Sequence, residues 1–349
     1  MIFTSDNASG AAPEIMAALV EAEQGYAMAY GNDPVTERAQ ALVRDVFEAP
    51  DAAVYFVATG TAANALALAC LCPPWATVYC HKGAHIEEDE CAAPEFFTGG
   101  AKLTLLDGAD AKMTADGLRM VVDTTAPRGP HNVQKGALSL TQATEQGAAY
   151  TLAEVQDLAG IARNAGLPVH MDGTRLANTL ARQNVSPADM TWRAGVDVLC
   201  LGATKNGALA AEAVILFDPA RAWEFELRRK RGGHLFSKMR FLSAQMEAYL
   251  TDGLWLRLAG HSNAMADRLA DGIDENPDAH LTNSMGANML FPEITLAQHK
   301  RLQAAGAGYH PMTDFDPDGA DDQRFTVRLV TSFRTTEDDV DRFLGGLAG

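Results

Sequence analysis

The chain is poor in positive charge: 28 lysines and arginines face 45 aspartates and glutamates, a formal net charge of −17 over 349 residues. That balance opposes phosphate backbones and anionic membrane surfaces, which basic patches are needed to grip, so nucleic acid and membranes are excluded as partners. Cysteine is scarce too. The five residues (Cys70, Cys72, Cys80, Cys91 and Cys200) lie in apolar or mixed segments, and their odd number and irregular spacing read as free thiols, not a disulfide framework. No apolar run reaches the roughly 18 residues of a membrane-spanning helix, and MIFTSDNASGAAPEIM lacks the basic stretch and apolar core of a secretory leader. The expectation is a cytoplasmic protein. Neither G-x-G-x-x-G nor G-x-x-x-x-G-K-[ST] occurs, which removes the dinucleotide fingerprint and the P-loop. Internal repeats and low-complexity tracts are absent.

What is present is an ordinary globular composition, 47% hydrophobic and 21% charged, enough for one large or two medium domains. Between about residues 50 and 217, the β-rich runs AVYFVA, TVYC, KLTLL, GALSLT, PVHMD, VDVLCLG and AVILF alternate with helical stretches. Such alternation predicts an α/β fold with a mostly parallel, doubly wound sheet. In TLAEVQDLAGIARNAG, Thr151 and Glu154 form a capping box and Gly166 ends the helix before the next strand. After residue 240 the pattern turns to long helical stretches and mixed segments. The expected division is a large domain over 1–245, including the N-terminal segment, and a smaller C-terminal α/β domain over 246–349. The acidic stretch DFDPDGADDQ reads as a solvated turn, since it lacks the glutamate that closes a calcium-binding EF-hand loop. The dense basic run Arg228, Arg229, Lys230 and Arg231 is either a solvated helix end or a local anion site.

In open α/β sheets ligands bind beyond the carboxyl ends of the strands, so the residues following each strand carry the chemistry. AVYFVA is followed by TGTAAN, which puts Gly60, Thr61 and Ala62 at a helix start, where free N–H groups suit a phosphate. PVHMD ends on Asp172, with Arg175 three residues on. That pair is either a helix cap with its ion pair or a carboxylate holding a pyridinium nitrogen beside an arginine for an anionic oxygen. VDVLCLG leads into ATKNG, where Thr204 and Lys205 sit on a tight connection before the strand resumes. An anion cradle, a strand-end aspartate and a strand-end lysine, in that order, are the parts needed to hold pyridoxal 5′-phosphate (PLP).

The motifs YGND (30–33), GTAAN (60–64), AHIEEDE (84–90), HMDGTRLAN (170–178), GATKNGA (202–208) and SKMRFLSAQ (237–245) resemble the low-specificity L-threonine aldolases. These belong to the β-eliminating-lyase, fold-type I group of PLP-dependent enzymes. The likeness extends from SDNASG at residue 5 to VRLVTSF at 327. It implies that Lys205 carries the cofactor as a Schiff base and Asp172 pairs with its pyridine nitrogen. Gly60, Thr61 and Ala62, with Thr204, would receive the phosphate. His85 would stack on the ring and face the substrate hydroxyl as a base, and His131 matches a family histidine near the same hydroxyl. Ser5, Arg175 and Arg328 match positions that hold the substrate carboxylate, with Arg175 also near a cofactor oxygen. Tyr30 and Lys230 would reach into a neighbouring subunit's site, and a further cationic contact falls among Ser237, Lys238 and Arg240.

The implied reaction is retro-aldol cleavage of L-threonine, L-allo-threonine and related β-hydroxy-α-amino acids to glycine and an aldehyde, in a homodimer or homotetramer with shared sites. Phenylserine cleavage and β-elimination are open alternatives on the same apparatus, and a PLP-binding protein without turnover is opposed by the joint presence of Lys205, Asp172 and His85. A zinc reading of Cys80, His81, His85 and Cys91 competes, but the spacing is irregular and no metal is expected.

Overall fold

The computed structural model describes residues 1–349. The seven β-rich runs all become strands of one sheet: β1 (Ala53–Val57), β2 (Ala76–His81), β3 (Lys102–Leu106), β4 (Gln134–Thr141), β5 (Val169–Gly173), β6 (Val198–Gly202) and β7 (Glu212–Leu216). Their order is β1-β7-β6-β5-β4-β2-β3. β7 is antiparallel to both neighbours and every other pairing is parallel. β2, β5, β6 and β7 are buried at every position, which is why their sequences read as continuous apolar runs without alternation. The carboxyl ends of β1, β2, β4, β5 and β6 therefore share one edge with the amino end of β7. Glu212 is the residue that faces Val57 of β1 on one side and Gly202 of β6 on the other.

Helices cover both faces. The helix Gly60–Leu71 has a largely apolar sequence and is buried from Ala62 onward, lying against the sheet through Leu66, Ala67 and Cys70. The helix Leu152–Asn164 forms with the expected capping box: Thr151 donates its N–H to Glu154 Oε2 at 2.7 Å and accepts from the Glu154 N–H at 3.3 Å. Gly166 follows at φ 72°, a conformation that glycine adopts without the Cβ penalty. No helix is long and apolar enough to cross a membrane.

The helical stretch expected after residue 240 is broken in two, Arg240–Leu250 and Leu254–Asp274, by a turn with Asp252 at φ 50° and Gly253 at φ 68°. Asp-Gly tolerates the left-handed region that other residues resist, so the helix breaks there. A second, smaller sheet follows, built from β8 (His280–Leu281), β9 (Met289–Leu290), β10 (Pro292–Thr295), β11 (His310–Pro311) and β12 (Arg324–Val330), all antiparallel. The start of the chain joins this sheet. Phe3 donates to Gly308 O at 2.7 Å, accepts from the Val330 N–H at 2.9 Å, and is fully buried among Phe325, Tyr309 and Phe343.

Beneath the site edge, Ser139, His170 and Cys200 of adjacent strands form a buried chain, Ser139 Oγ to His170 Nδ1 at 2.9 Å and His170 Nε2 to Cys200 Sγ at 3.3 Å. Burial lowers His170 to about 4, with Asp172 opposing, so the ring is neutral in the fold. Its contribution to stability is present in full above the unfolded histidine value near 6.5, and is lost as the pH falls from there through the folded value. Between pH 7 and pH 5 the loss from this one residue should be on the order of 2 kcal/mol. Urea unfolding of the wild type and of His170→Gln at both pH values measures it as the difference in pH dependence, and identical dependences would refute it.

Candidate active site

A cavity of about 330 Å³ opens at the shared strand edge, and its lining includes Asn7, Gly60, Thr61, Asn64, His85, Thr174, Thr204, Lys205 and Glu212. Lys205 reaches it from a single 3-10 turn, Thr204–Asn206, closed by Gly207 at φ 112°. The turn is held on three sides. Ala203 donates its N–H to Glu212 Oε2 at 3.0 Å, Tyr249 donates its hydroxyl to Gly202 O at 3.2 Å, and the Asn206 amide donates to Tyr249 Oη and Trp255 O. A Cβ on Gly202 would stand 2.5 Å from the carbonyl oxygen of Thr174, so only glycine lets the ends of β5 and β6 meet here. No carboxylate lies within salt-bridge distance of the Lys205 ammonium, although Asp6 and Glu212 both feel its charge.

Asp172 is buried at the end of β5 and accepts from the Thr174 hydroxyl at 2.7 Å, the Thr174 N–H at 3.0 Å and Asn64 Nδ2 at 2.9 Å. Burial alone would raise its pKa. The two Thr174 bonds and the charge of His85 outweigh burial and hold the carboxyl below the ordinary value, ionised where a pyridinium needs it. The same Asn64 nitrogen donates to Glu90 Oε1 at 2.8 Å, and Glu90 Oε1 bonds His85 Nδ1 at 2.9 Å. A continuous chain thus joins Asp172 to His85 through Asn64 and Glu90. Glu90 raises the histidine's pKa against the effect of burial, with Asp172 and Glu145 adding to the rise, while burial pushes Glu90 itself up.

Arg175 is buried and gripped by Asp6, Nε to Oδ2 at 2.9 Å and Nη2 to Oδ1 at 3.2 Å, with Glu145 at 3.9 Å on its other side. Gly60 and Thr61 open the helix, where first-turn N–H groups have no intrahelical acceptor. The Ala62 N–H, by contrast, is taken by Thr59 Oγ1 at 3.2 Å, which removes it from the anion cradle expected of it.

Other expected positions lie away from this cavity. His131 is exposed on the loop that enters β4, and Gln134 beside it pairs with Trp75 at the amino end of the sheet. The cavity is at the carboxyl end, an eight-residue strand or roughly 25 Å away, so this histidine does not meet the substrate in its own chain. Ser5 caps the Asn7 N–H at 3.1 Å and faces a separate surface cleft with Met1 and Arg334. From SDN it is Asn7 that lines the cavity and Asp6 that reaches Arg175. Arg328, on β12, donates to Thr4 O at 3.2 Å and so holds the N-terminal segment, while its buried Nε has no partner. Tyr30 and Lys230 are exposed and stack on each other at 5.1 Å, outside this chain's cavity.

In the basic run, Arg228 pairs with Glu224 and Arg229 with Glu226, the latter buried over the Tyr55 ring, so neither is free for an anion. The zinc grouping does not converge. Both His81 nitrogens are engaged by backbone, burial drives Cys80 to about 12, and Cys91 is exposed. Ligand atoms of His85, Glu90 and Asp172 do lie within 4.8 Å of one another, but the Asn64 amide donates into both carboxylates and occupies that space with N–H groups.

The residues fit a phosphorylated pyridine cofactor. Asn64 Oδ1 and Glu90 Oε2 are buried acceptors without partners beside Asp172, Lys205 has no carboxylate neutralising it, and the free N–H groups of Gly60 and Thr61 face the same space. Asn64, Glu90, Asp6, Glu145 and Glu212 were not singled out from the sequence. Asp6, Asn64 and Glu90 stand inside SDNASG, GTAAN and AHIEEDE, and Glu212 has one signal of its own, a charged residue opening an otherwise apolar strand.

The Beta-eliminating lyase family model matches residues 3–294. Low specificity L-threonine aldolases from Pseudomonas aeruginosa and from a second Pseudomonas strain are 42% and 41% identical over 304 residues, 87% of each chain. The threonine aldolase of Leishmania major superposes with a TM-score of 0.92 at 28% identity, covering 99% of this chain and 98% of that one. A serine palmitoyltransferase from S. paucimobilis, with bound PLP–myriocin aldimine, has a TM-score of 0.69 at 14% identity over 100% of this chain and 86% of that one, and shares the fold alone. With a family match over most of its length and this identity to two relatives, the chain belongs to the beta-eliminating lyase family and has the fold-type I architecture of PLP-dependent enzymes.

Proposed function

We propose that this protein is a carbon–carbon lyase that cleaves L-threonine, L-allo-threonine and related β-hydroxy-α-amino acids to glycine and an aldehyde, with PLP held in the 330 Å³ cavity. The observation that carries the reading is one cavity lined by Lys205 and His85, with Asp172 bonded directly behind its lining residues Asn64 and Thr174, in a chain 42% identical to a low specificity L-threonine aldolase. Bound there, PLP would supply an electron sink for the pair released when the Cα–Cβ bond breaks. Lys205 offers the amine, Asp172 the ionised partner for the ring nitrogen, and Gly60, Thr61 and Thr204 the phosphate contacts. His85 has Nδ1 committed to Glu90, which leaves Nε2 as the atom that takes the proton of the substrate β-hydroxyl. Glu90 and Asn64 hold that ring against rotation. Arg175, paired with Asp6, would meet a substrate or cofactor oxygen through the N–H groups that Asp6 leaves unused.

Tyr30 and Lys230, exposed on the surface and unused by their own cavity, support a homo-oligomer in which they complete a neighbour's site. The family's description also admits β-elimination. Product analysis separates the two: glycine plus aldehyde in equal amounts from threonine and phenylserine is expected, with His85→Ala lowering the rate by about 10²–10⁴-fold while Lys205 still captures PLP. A 2-oxo acid and ammonia in place of glycine would overturn the aldol reading.

A further inference from the structure

We propose that Glu212 couples the cofactor's phosphate to a proton, its carboxyl being protonated when the phosphate occupies the cavity and ionised when it does not. This rests on the cavity holding a phosphorylated pyridine, as proposed above. Glu212 opens β7 between the end of β1, which leads directly into Ala58–Thr61, and the end of β6, which leads into the lysine turn. It is 5% exposed and lines the same cavity as Gly60 and Thr61. One oxygen accepts the Ala203 N–H at 3.0 Å, and no cation is paired with it. A doubly charged phosphate brought to the start of the helix would meet this carboxylate inside a region of low dielectric with no arginine between them. Such repulsion is relieved most cheaply by one proton.

The surrounding groups leave Glu212 poised for this. Burial raises it to about 7, against the Thr204 hydroxyl, the Ala203 N–H and the charge of Lys205, while Asp172 on β5 pushes the same way as burial. Cys200 on β6 and Tyr249 from the helix Arg240–Leu250 are themselves raised by burial and are neutral in this range. His234, whose Nδ1 accepts the Ala58 N–H, is lowered by burial, and His85 lies in the same cavity with its proton directed to Glu90. No other carboxyl lines this cavity.

Pyridoxine 5′-phosphate tests the coupling, because it lacks the aldehyde and does not condense with Lys205. Its affinity for the cofactor-free protein is measured by fluorescence between pH 6 and pH 8, for the wild type and for Glu212→Gln, whose amide keeps an acceptor for Ala203 but does not ionise. Taking the ratio of the two cancels the ligand's own ionisations. The wild type is expected to weaken about tenfold relative to the variant across that range. Parallel curves would overturn the coupling and reduce Glu212 to a support for the turn. Should the variant misfold, calorimetry on the wild type near pH 8, in buffers of different ionisation enthalpy, decides. Proton uptake by pyridoxine 5′-phosphate should exceed that by pyridoxine by close to one, and equal uptake overturns the proposal. Failure of either protein to bind pyridoxine 5′-phosphate at any pH, with no borohydride label from PLP on Lys205, would sink the cofactor reading along with it.

Discussion

Replacing Asp6 by alanine is expected to destabilise the protein by about 3–5 kcal/mol, because it strands the Arg175 guanidinium in the interior. Both side chains are buried, 3% and 6% exposed, and the pair is bidentate. Glu145, at 3.9 Å and more exposed, replaces only part of the lost interaction. Burial would raise the Asp6 pKa, but Arg175, Lys205 and Asn288 together hold it below the ordinary aspartate value. A depressed folded value means the contribution is present above the unfolded value near 3.8 and lost as the pH falls through the folded one. Urea unfolding of the wild type and Asp6→Ala should therefore differ fully at neutral pH and converge only in strong acid. A loss below about 1 kcal/mol at pH 7, the range of an exposed pair, would show that water reaches Arg175 freely.

Lys205→Ala should abolish stable retention of PLP through gel filtration and lower turnover by about 10⁴-fold or more, as loss of a nucleophilic group commonly does. The fold should survive, since the turn is held by Glu212, Tyr249 and Asn206 and not by the lysine side chain. Circular dichroism and the unfolding midpoint check that separation. A variant that keeps near wild-type turnover would remove Lys205 from the chemistry, and a variant that unfolds would contradict the account of how the turn is held. Asp172 is not separable in this way, because its oxygens also fix Thr174 and Asn64.

Much of the architecture was legible before any coordinates. All seven strands of the large sheet are legible as β-rich runs, and β2, β5, β6 and β7 most clearly, because strands buried at every position have few polar residues to interrupt them. The capping box at Thr151 and the strand-end placement of Asp172 and Lys205 follow from local chemistry, which the chain carries within a few residues of each site. The interruption at Asp252-Gly253 leaves little trace in the sequence, since a two-residue left-handed turn keeps the apolar period on either side almost intact.

What acts at long range was a different matter. His131 and Ser5 matched family positions in sequence, yet β4 runs so that His131 lies at the amino end of the sheet, and Ser5 is turned to cap its own segment. Asp6 and Arg175 are 169 residues apart, and Asn64 bridges Glu90 and Asp172 from 26 and 108 residues away. Local periodicity determined which residues form strands and helices and which side chains stand at strand ends, because those depend on neighbours within a turn or two of backbone. Only the order β1-β7-β6-β5-β4-β2-β3 decided which strand ends meet, and with them the burial that raises Glu212, the hydrogen bonds that keep Asp172 ionised against burial, and the Glu90 contact that orients His85.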